Sequence, residues 1–460
     1  MNIEAAVSLL SPWLPHQRWF AGKNAPVDTV RTVNATRLRE AEPEVWHLLV
    51  EVVQGERRET YQVPVSFREV PDGRLEHVLV GETEGRYVYD ALHDKDATGE
   101  LLRRFEIQDR VDGLAFHTEP GAELPIGEPS LVLTAEQSNT SLAYGDAALL
   151  KVFRRVVPGV NPDIEIHDAL TRAGNEFVAP MLGWLDGSWV SRSGERHEAG
   201  LAMLQTFLVT ATDGWAIATT SVRDLYAEAD LHADEVGGDF AGEAQRLGLA
   251  TAEVHSAMAE VLPTRTFRPE DLRALAERMR SRLEAAVTTV PELTPYAPGL
   301  VGSFDRLAEL HSPVPVQRIH GDLHLGQVVR TVVGWKLVDF EGEPAKPLAE
   351  RVALDSPIRD VAAMLRSFDY AARHLLVIDH PGSEQIAYRA AEWAERNRAA
   401  FCEGYAKAAG HDPREEQVLL RAYETDKVVY EAVYEARNRP DWLAIPLAGA
   451  ENLATDPDAR

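Results

Sequence analysis

A chain of 460 residues is too long for one small hydrophobic core, so two or three domains or lobes are expected. Hydrophobic residues make up 45% and charged residues 26%, as in ordinary globular proteins. Acidic residues outnumber basic ones by 73 to 47, and the net charge of −26 is spread along the chain; this excludes nucleic acid as a partner, because its phosphates need a basic face.

The single cysteine, Cys402, leaves no disulfide framework and no thiolate metal cluster. The opening "MNIEAAVSLLSPWLPHQRWF" has neither the basic start nor the long apolar core of a secretory signal. No run approaches the ~18 apolar residues of a membrane span. The expected setting is the cytoplasm, with no membrane partner.

In chain order, residues 1–20 are expected to form a short helix broken by Pro12 and Pro15, leading into "QRWFAGK" (17–23). Strands follow from Val27 to about Tyr87, with 45–67 folding as a hairpin about Gln54-Gly55-Glu56. Residues 89–110 read as helical. In "SLVLTAEQSNTSLAYGDAALLKVFRRV" (130–156), β-branched and apolar runs flank a polar bend. "NPDIEIHDALTRAG" (161–174) is a helix with Pro162 in its first turn and Gly174 past its end. "HEAGLAMLQTFL" (197–208) is a further apolar strand.

Beyond residue 210 the pattern is mostly helical, at 224–236, 241–262, 268–287, 299–310, 357–378, 384–409 and 414–438. Two short strands interrupt this series around "RIHGDLHLGQVVR" (318–330) and "WKLVDFEGEP" (335–344). The fold class is therefore α+β. A β-rich cap (1–88) and an intermediate β-rich segment (89–208) precede a helical C-terminal part (209–460).

Three readings of 318–344 are open on the residues alone. His320 and His324 at i, i+4 would share a metal only on a helix, and Gly321 and Gly326 oppose a helix here. A loop with incidental histidines is the plain alternative. The third is phosphoryl transfer. Its catalytic loop has an aspartate for the acceptor hydroxyl, then an amide five residues on, then Asp-Phe at a strand end, the last two holding Mg²⁺. Here Asp322 is followed by Gln327 at that step and then by Asp339-Phe340. An amide oxygen and a carboxylate suit a hard, oxygen-seeking cation.

The same chemistry needs a strand lysine, an acidic helix partner and a loop over the ATP phosphates. "AALLKVFRR" supplies Lys151, and helix 161–173 supplies Glu165 to pair with it, with Asp163 and Asp168 as competitors. "EQSNTSLAYGD" (136–146) lacks the usual glycines, leaving Ser138, Asn139, Thr140 and Ser141 to offer hydroxyls and N–H groups to phosphate. Chain order puts a hinge at Gln205–Leu208, with Gln205, Phe207 and Leu208 toward the nucleotide.

Taken together, "EQSNTS", "KVFRR…PGVNPDIE", "HGDLHLGQ", "DFEGEP", "SPIRDVAAMLRSFDYAA" and "DKVVYEAVYEARNRPDWLAIPL" resemble the actinobacterial maltokinases. These belong to the aminoglycoside-phosphotransferase-like branch of the bilobal protein-kinase-like fold. The resemblance runs nearly the whole chain, "QRWFAGK" included. It implies transfer of the γ-phosphate of ATP, with Mg²⁺, to the anomeric hydroxyl of maltose, giving maltose 1-phosphate on a route from trehalose to α-glucan. By motif, Asp322 is the catalytic base, Gln327 and Asp339 are magnesium ligands with Glu341 assisting, and Lys151 contacts phosphate. His320 becomes a brace for its loop, as do Arg359 and Asp360 of "SPIRD". A trehalose-processing enzyme is the protein partner that this setting suggests.

The sugar site belongs to the C-terminal lobe. In helix 414–438, Lys427, Glu431, Tyr434 and Asn438 follow at steps of four, three and four, hence on one face, with Tyr430 beside them. Such a stripe suits a sugar's hydroxyl rim and flat ring; a solvated face with core tyrosines is the plain alternative. His324, two residues from the base, is within reach of the acceptor hydroxyls. A glucosamine kinase shares much of the catalytic motif and is the second enzyme reading. A catalytically inactive kinase-like binding protein is the third, opposed by the intact set Lys151, Asp322, Gln327 and Asp339.

Overall fold

The computed structural model describes residues 2–134, 138–191, 194–344, 346–380 and 382–455. They form two compact units, one of residues 1–168 and 179–209 and the other of 169–178 and 210–460. No described helix is long and apolar enough to cross a membrane.

The first unit opens with α1 (Ile3–Trp13), capped by the Asn2 side chain. Pro12 does not break this helix: it lies in the last turn, where its missing N–H forfeits a single intrahelical bond. Pro15 falls in the 3₁₀ turn that follows. The strands β1 (Thr29–Arg39), β2 (Glu44–Gln54), β3 (Arg57–Gln62), β4 (Val65–Arg68), β5 (Leu79–Thr83) and β6 (Arg86–Asp90) then build one antiparallel sheet. The expected hairpin joins β2 to β3 at Gly55, whose φ of 58° suits a residue without Cβ. α1 covers this sheet, burying Ala6, Val7 and Leu10 with Leu48, Val50 and Phe67.

The span 89–110 is helical only at α2 (Lys95–Glu106), because Asp94 caps it and the residues before it finish β6. A second antiparallel sheet follows, from β7 (Arg110–Val111), β8 (Leu114–Thr118), β9 (Ser130–Leu133), β10 (Thr140–Tyr144) and β11 (Ala148–Val152). The chain then adds β12 (Arg155–Val156) to the edge of the first sheet, beside β3. After α3 (Pro162–Arg172), β13 (Met181–Val190) and β14 (Arg196–Thr206) complete the second sheet, in the order β7-β8-β13-β14-β11-β10-β9. Along β13, buried Met181, Gly183, Leu185, Gly187 and Trp189 alternate with half-buried neighbours, the two-residue period of a strand with one inner face. That inner face packs on Leu101, Leu102 and Phe105 of α2.

In the second unit, β15 (Thr212–Asp213) leads into α4 (Gly214–Ala227), capped by the Asp213 side chain. The helix expected at 224–236 instead starts ten residues earlier and ends at Ala227. Beyond it, Glu235 accepts from the His232 backbone N–H at 2.8 Å, a local bond that competes with helix formation. There follow α5 (Ala241–Val261), β16 (Arg265–Phe267), α6 (Pro269–Thr289), α7 (Ala297–Ala308), β17 (Val314–Val316), β18 (Val328–Thr331) and β19 (Gly334–Leu337). The chain closes with α8 (Leu348–Arg351), α9 (Ile358–Asp379), α10 (Glu384–Ala409), α11 (Gln417–Asn438) and α12 (Ala444–Thr455). α9 is buried on most of its surface. α5 and α10 meet backbone to backbone: a Cβ at Gly248 would lie 2.0 Å from the Phe401 carbonyl oxygen, and one at Gly404 1.8 Å from that of Gln245.

Candidate active site

Residues 317–327 form a loop between β17 and β18, and its shape is fixed by side chains from α5 and α9. Asp360, in the first turn of α9, accepts from the backbone N–H of His320 at 2.7 Å and of Gly321 at 2.9 Å. His255 of α5 donates to the same carboxylate from Nε2 at 3.1 Å, so its Nδ1 accepts from the Tyr405 hydroxyl at 3.0 Å. Arg359 reaches the Gly321 carbonyl at 3.4 Å, and Ser367 receives the Leu325 N–H at 3.0 Å. His320 donates from Nε2 to the Val338 carbonyl at 3.0 Å, which leaves Nδ1 to face the Asp322 N–H at 3.4 Å. These bonds belong to the loop backbone, and neither His320 nor Asp360 presents an open group to a ligand.

Asp322 extends from this scaffold, its Oδ1 3.2 Å from Lys427 Nζ of α11. Burial pushes the carboxyl pKa up, but the Lys427 ammonium together with His324 and His320 outweighs it and holds the group below the ordinary carboxylate range. Asp322 is therefore an anion at neutral pH. Lys427→Met should remove the largest of the groups that oppose burial and move the acid limb of kcat/KM to higher pH, by about one unit or more. A pH profile whose acid limb stays in place would detach Lys427 from the titration of Asp322.

His324 caps a 3₁₀ turn, with Nδ1 accepting from the Gly326 N–H at 3.0 Å. Burial lowers its pKa, so it is neutral and carries its proton on Nε2, free to donate. Gln327 Nε2 lies 3.2 Å from Asp339 Oδ2, and the Val338 N–H binds the Gln327 carbonyl at 3.0 Å. Asp339 adopts a φ of 67°, rare for a residue with a Cβ, at the turn after β19. An amide and a carboxylate thus converge, an oxygen-donor set that fits Mg²⁺ once the amide turns its oxygen inward. Glu341 is two residues on, half-buried, its carbonyl held by Arg351 at 2.9 Å.

The stripe on α11 divides. Lys427 Nζ stands 5.0 Å over the Tyr430 ring, and Tyr430 stacks on Tyr434, which is 43% exposed. Glu431 is buried, and its Oε2 accepts from Arg366 Nη2 at 2.8 Å and Nε at 3.2 Å. Burial of α11 against α9 turned it inward. Asn438 sits exposed and donates to the Tyr434 carbonyl at 2.8 Å. Glu343, passed over in the sequence although it lies within "DFEGEP", is buried next to Tyr430 and ion-paired to Lys346 at 2.6 Å.

In the first unit, Lys151 on β11 pairs with Asp163 Oδ2 at 2.8 Å rather than with Glu165. The two acids are two residues apart on α3 and so point to opposite sides of it. Asp163 is wholly buried, whereas half-buried Glu165 lines a cleft with Asn161 and Trp184. Lys151 and Ser141 are cross-strand partners. Ser138 is exposed and Asn139 half-buried, but the Thr140 hydroxyl faces inward, accepting from Arg154 Nε at 2.8 Å, and is not directed to phosphate. Gln205 is buried near the end of β14, and its Oε1 has no hydrogen-bond partner among the described residues. Phe207 continues the pairing, its N–H on the Ala147 carbonyl at 3.0 Å, and Leu208 is half-buried.

The chain is 28% identical over 427 residues to the glucosamine kinase of Streptacidiphilus jiangxiensis, a match covering 85% of this chain and 92% of that protein. It is 29% identical over 336 residues to the glucosamine kinase of Mycolicibacterium smegmatis, covering 70% and 78%. Its fold is that of solved glucosamine kinase structures: one matches with a TM-score of 0.73 at 23% identity over 98% of this chain and 99% of the other. A second, in complex with glucosamine, ADP and inorganic phosphate, has a TM-score of 0.70 at 24% identity over 98% and 99%. Residues 13–94 match the maltokinase N-terminal cap domain, and residues 147–411 match the phosphotransferase enzyme family. With Lys151, Asp322, Gln327 and Asp339 all inside a match that spans more than half its length, the chain belongs to the phosphotransferase enzyme family, in a form that carries a maltokinase cap.

Proposed function

We propose that this protein is an ATP-dependent sugar kinase that phosphorylates the anomeric hydroxyl of maltose to give maltose 1-phosphate. The observation that carries the kinase reading is Asp322 on a braced loop beside Lys427, followed in sequence by the paired Gln327 and Asp339. Asp322 accepts a hydrogen bond from the sugar hydroxyl, orients it for in-line attack, and takes up its proton as the new P–O bond forms and the bond from the γ-phosphorus to the bridging oxygen breaks, releasing ADP. His324 Nε2–H donates to a neighbouring sugar hydroxyl. Lys151, fixed by Asp163, serves the ATP phosphates, and the orphaned Gln205 Oε1 suits an N–H donor such as the adenine amino group. Gln327 and Asp339 would hold Mg²⁺, with Glu341 near them, and the ion would supply neutralising charge to the phosphates.

Two features favour a neutral disaccharide over an amino sugar. The cap match is to maltokinases. Of the two buried acids next to this stripe, Glu431 is bound to Arg366 and Glu343 to Lys346, which leaves less free charge for an ammonium group on the sugar. The glucosamine kinase names of the relatives support glucosamine as the second reading. ADP release measured with maltose, glucose, glucosamine and an aminoglycoside separates them. Maltose should give the highest kcat/KM, by about tenfold or more over glucosamine, and a chain active on glucosamine but silent on maltose would reverse the assignment.

A further inference from the structure

Tyr423 of α11 is buried, and its hydroxyl donates to an anion, Asp355 Oδ1. The same carboxylate accepts from the Ser356 N–H at 2.9 Å through Oδ1 and from Arg359 Nη1 at 3.1 Å through Oδ2. Asp355 lies just before α9, and its backbone is paired in both directions with Gln317, where the 317–327 loop begins. The Gln317 N–H meets the Asp355 carbonyl at 3.0 Å, and the Asp355 N–H meets the Gln317 carbonyl at 2.9 Å. Arg359 then reaches on to the carbonyl of Gly321, the residue before Asp322, at 3.4 Å. Burial, with the Asp355 charge beside it, raises the Tyr423 pKa well above the ordinary range, so at neutral pH the hydroxyl keeps its proton and donates.

Helix geometry joins this chain of bonds to Lys427. Tyr423 and Lys427 are four residues apart on α11 and so project from one face, about 6 Å apart along the axis. Lys427 meets Asp322 at its side chain, 3.2 Å from Oδ1, while Tyr423 meets the Asp355–Arg359–Gly321 chain that ends at its backbone. One helix therefore holds both ends of Asp322. Other anchors of α11 do not reach the loop: Glu431 binds Arg366 of α9 at 2.8 Å, Glu424 binds Arg398 of α10 at 2.7 Å, and Asp426 binds Arg282 of α6 at 2.8 Å. They keep the helix in place when the Tyr423 hydroxyl is removed.

We propose that Tyr423 is a positioning residue for Asp322, setting the backbone at the base through Asp355 and Arg359 while Lys427 sets its side chain. This rests on the reading of Asp322 as the base that receives the sugar hydroxyl proton. Tyr423 itself touches no substrate. Without the hydroxyl, Asp355 keeps the Ser356 and Arg359 donors, but Arg359, which lies 3.9 Å from Glu343, can turn from Gly321 toward that acid. The Asp322 carboxylate then meets the sugar hydroxyl out of line. A misplacement of about an ångström slows the transfer step and leaves ground-state binding largely as it was.

Tyr423→Phe in the full-length protein should lower kcat about tenfold, with calorimetric ADP affinity and the KM values for ATP and sugar within about twofold of native. Tyr226→Phe is the control. Its buried hydroxyl donates to the carbonyl of Ala372, far along α9 from Asp360, so it should lower the melting temperature by a similar few degrees and leave kcat unchanged. The deciding measurement is a double-mutant cycle with Asp322→Asn, read by single-turnover rates. In that background Tyr423→Phe should cost less than about twofold, because the base it positions is gone. A tenfold loss in both backgrounds, or an equal loss in Tyr226→Phe, would give Tyr423 a general structural role and overturn the proposal. A native kcat in Tyr423→Phe would overturn it too, with the base reading intact. If Asp322→Asn itself keeps a tenth of the native rate or more, the base reading fails and the proposal falls with it.

Discussion

Asp322→Asn should lower kcat by about a thousandfold while ADP affinity stays within about twofold of the native protein. The loop that carries the residue is set by Asp360, Arg359, Ser367 and His320, none of which bonds to the Asp322 side chain in the structure described above. The isosteric amide therefore keeps the scaffold. It removes the anion that receives the hydroxyl proton, and its NH₂ group can only donate where an acceptor is needed. Lys427 loses its partner, but its side chain is 21% exposed and water can serve the ammonium in part, so the melting temperature should fall little. Single-turnover rates with thermal melts check this. A variant that keeps a tenth of the native rate would remove Asp322 from the base role.

Asp339→Asn is the second large effect. Asparagine tolerates positive φ almost as well as any residue but glycine, so the backbone at 67° stays in place and the change is confined to charge. Losing the carboxylate next to Gln327 should raise the Mg²⁺ concentration for half-maximal rate at least tenfold or so, and lower kcat by about a hundredfold. Mg²⁺-dependent tightening of ADP binding, read by calorimetry, should be lost in parallel. Unchanged Mg²⁺ dependence of both rate and binding would take the metal away from this pair.

The elements most legible in the sequence were those with short-range causes. The hairpin at Gly55, the long helices α5, α6, α9, α10 and α11, and the alternation along the strands follow from backbone freedom and apolar period. The failures share a mechanism. Pro12 was tolerated by position within its helix, and the 228–236 stretch lost a helix to a local side-chain bond. In both, a residue-type rule met a local geometry that it does not contain.

For the site, the Asp322–Gln327–Asp339 spacing could be read directly because the groups lie on one short loop and the hairpin next to it. The partner of Lys151 could not. Three acids lie within six residues on α3, and which of them meets the ammonium depends on how the helix is rotated against β11, which is set by packing of the whole face. The same holds for α11, where four polar residues at helical spacing share a stripe, but contact with α9 sends Glu431 to Arg366 and leaves Tyr434 at the surface. By itself the sequence determined which groups are available: an aspartate on a loop, an amide and a carboxylate after it, a strand lysine, and an N-terminal segment that matches the maltokinase cap. Only the tertiary structure decided which charges are spent on one another and which remain for a ligand, because pairing energies depend on distance and burial between residues far apart in the chain.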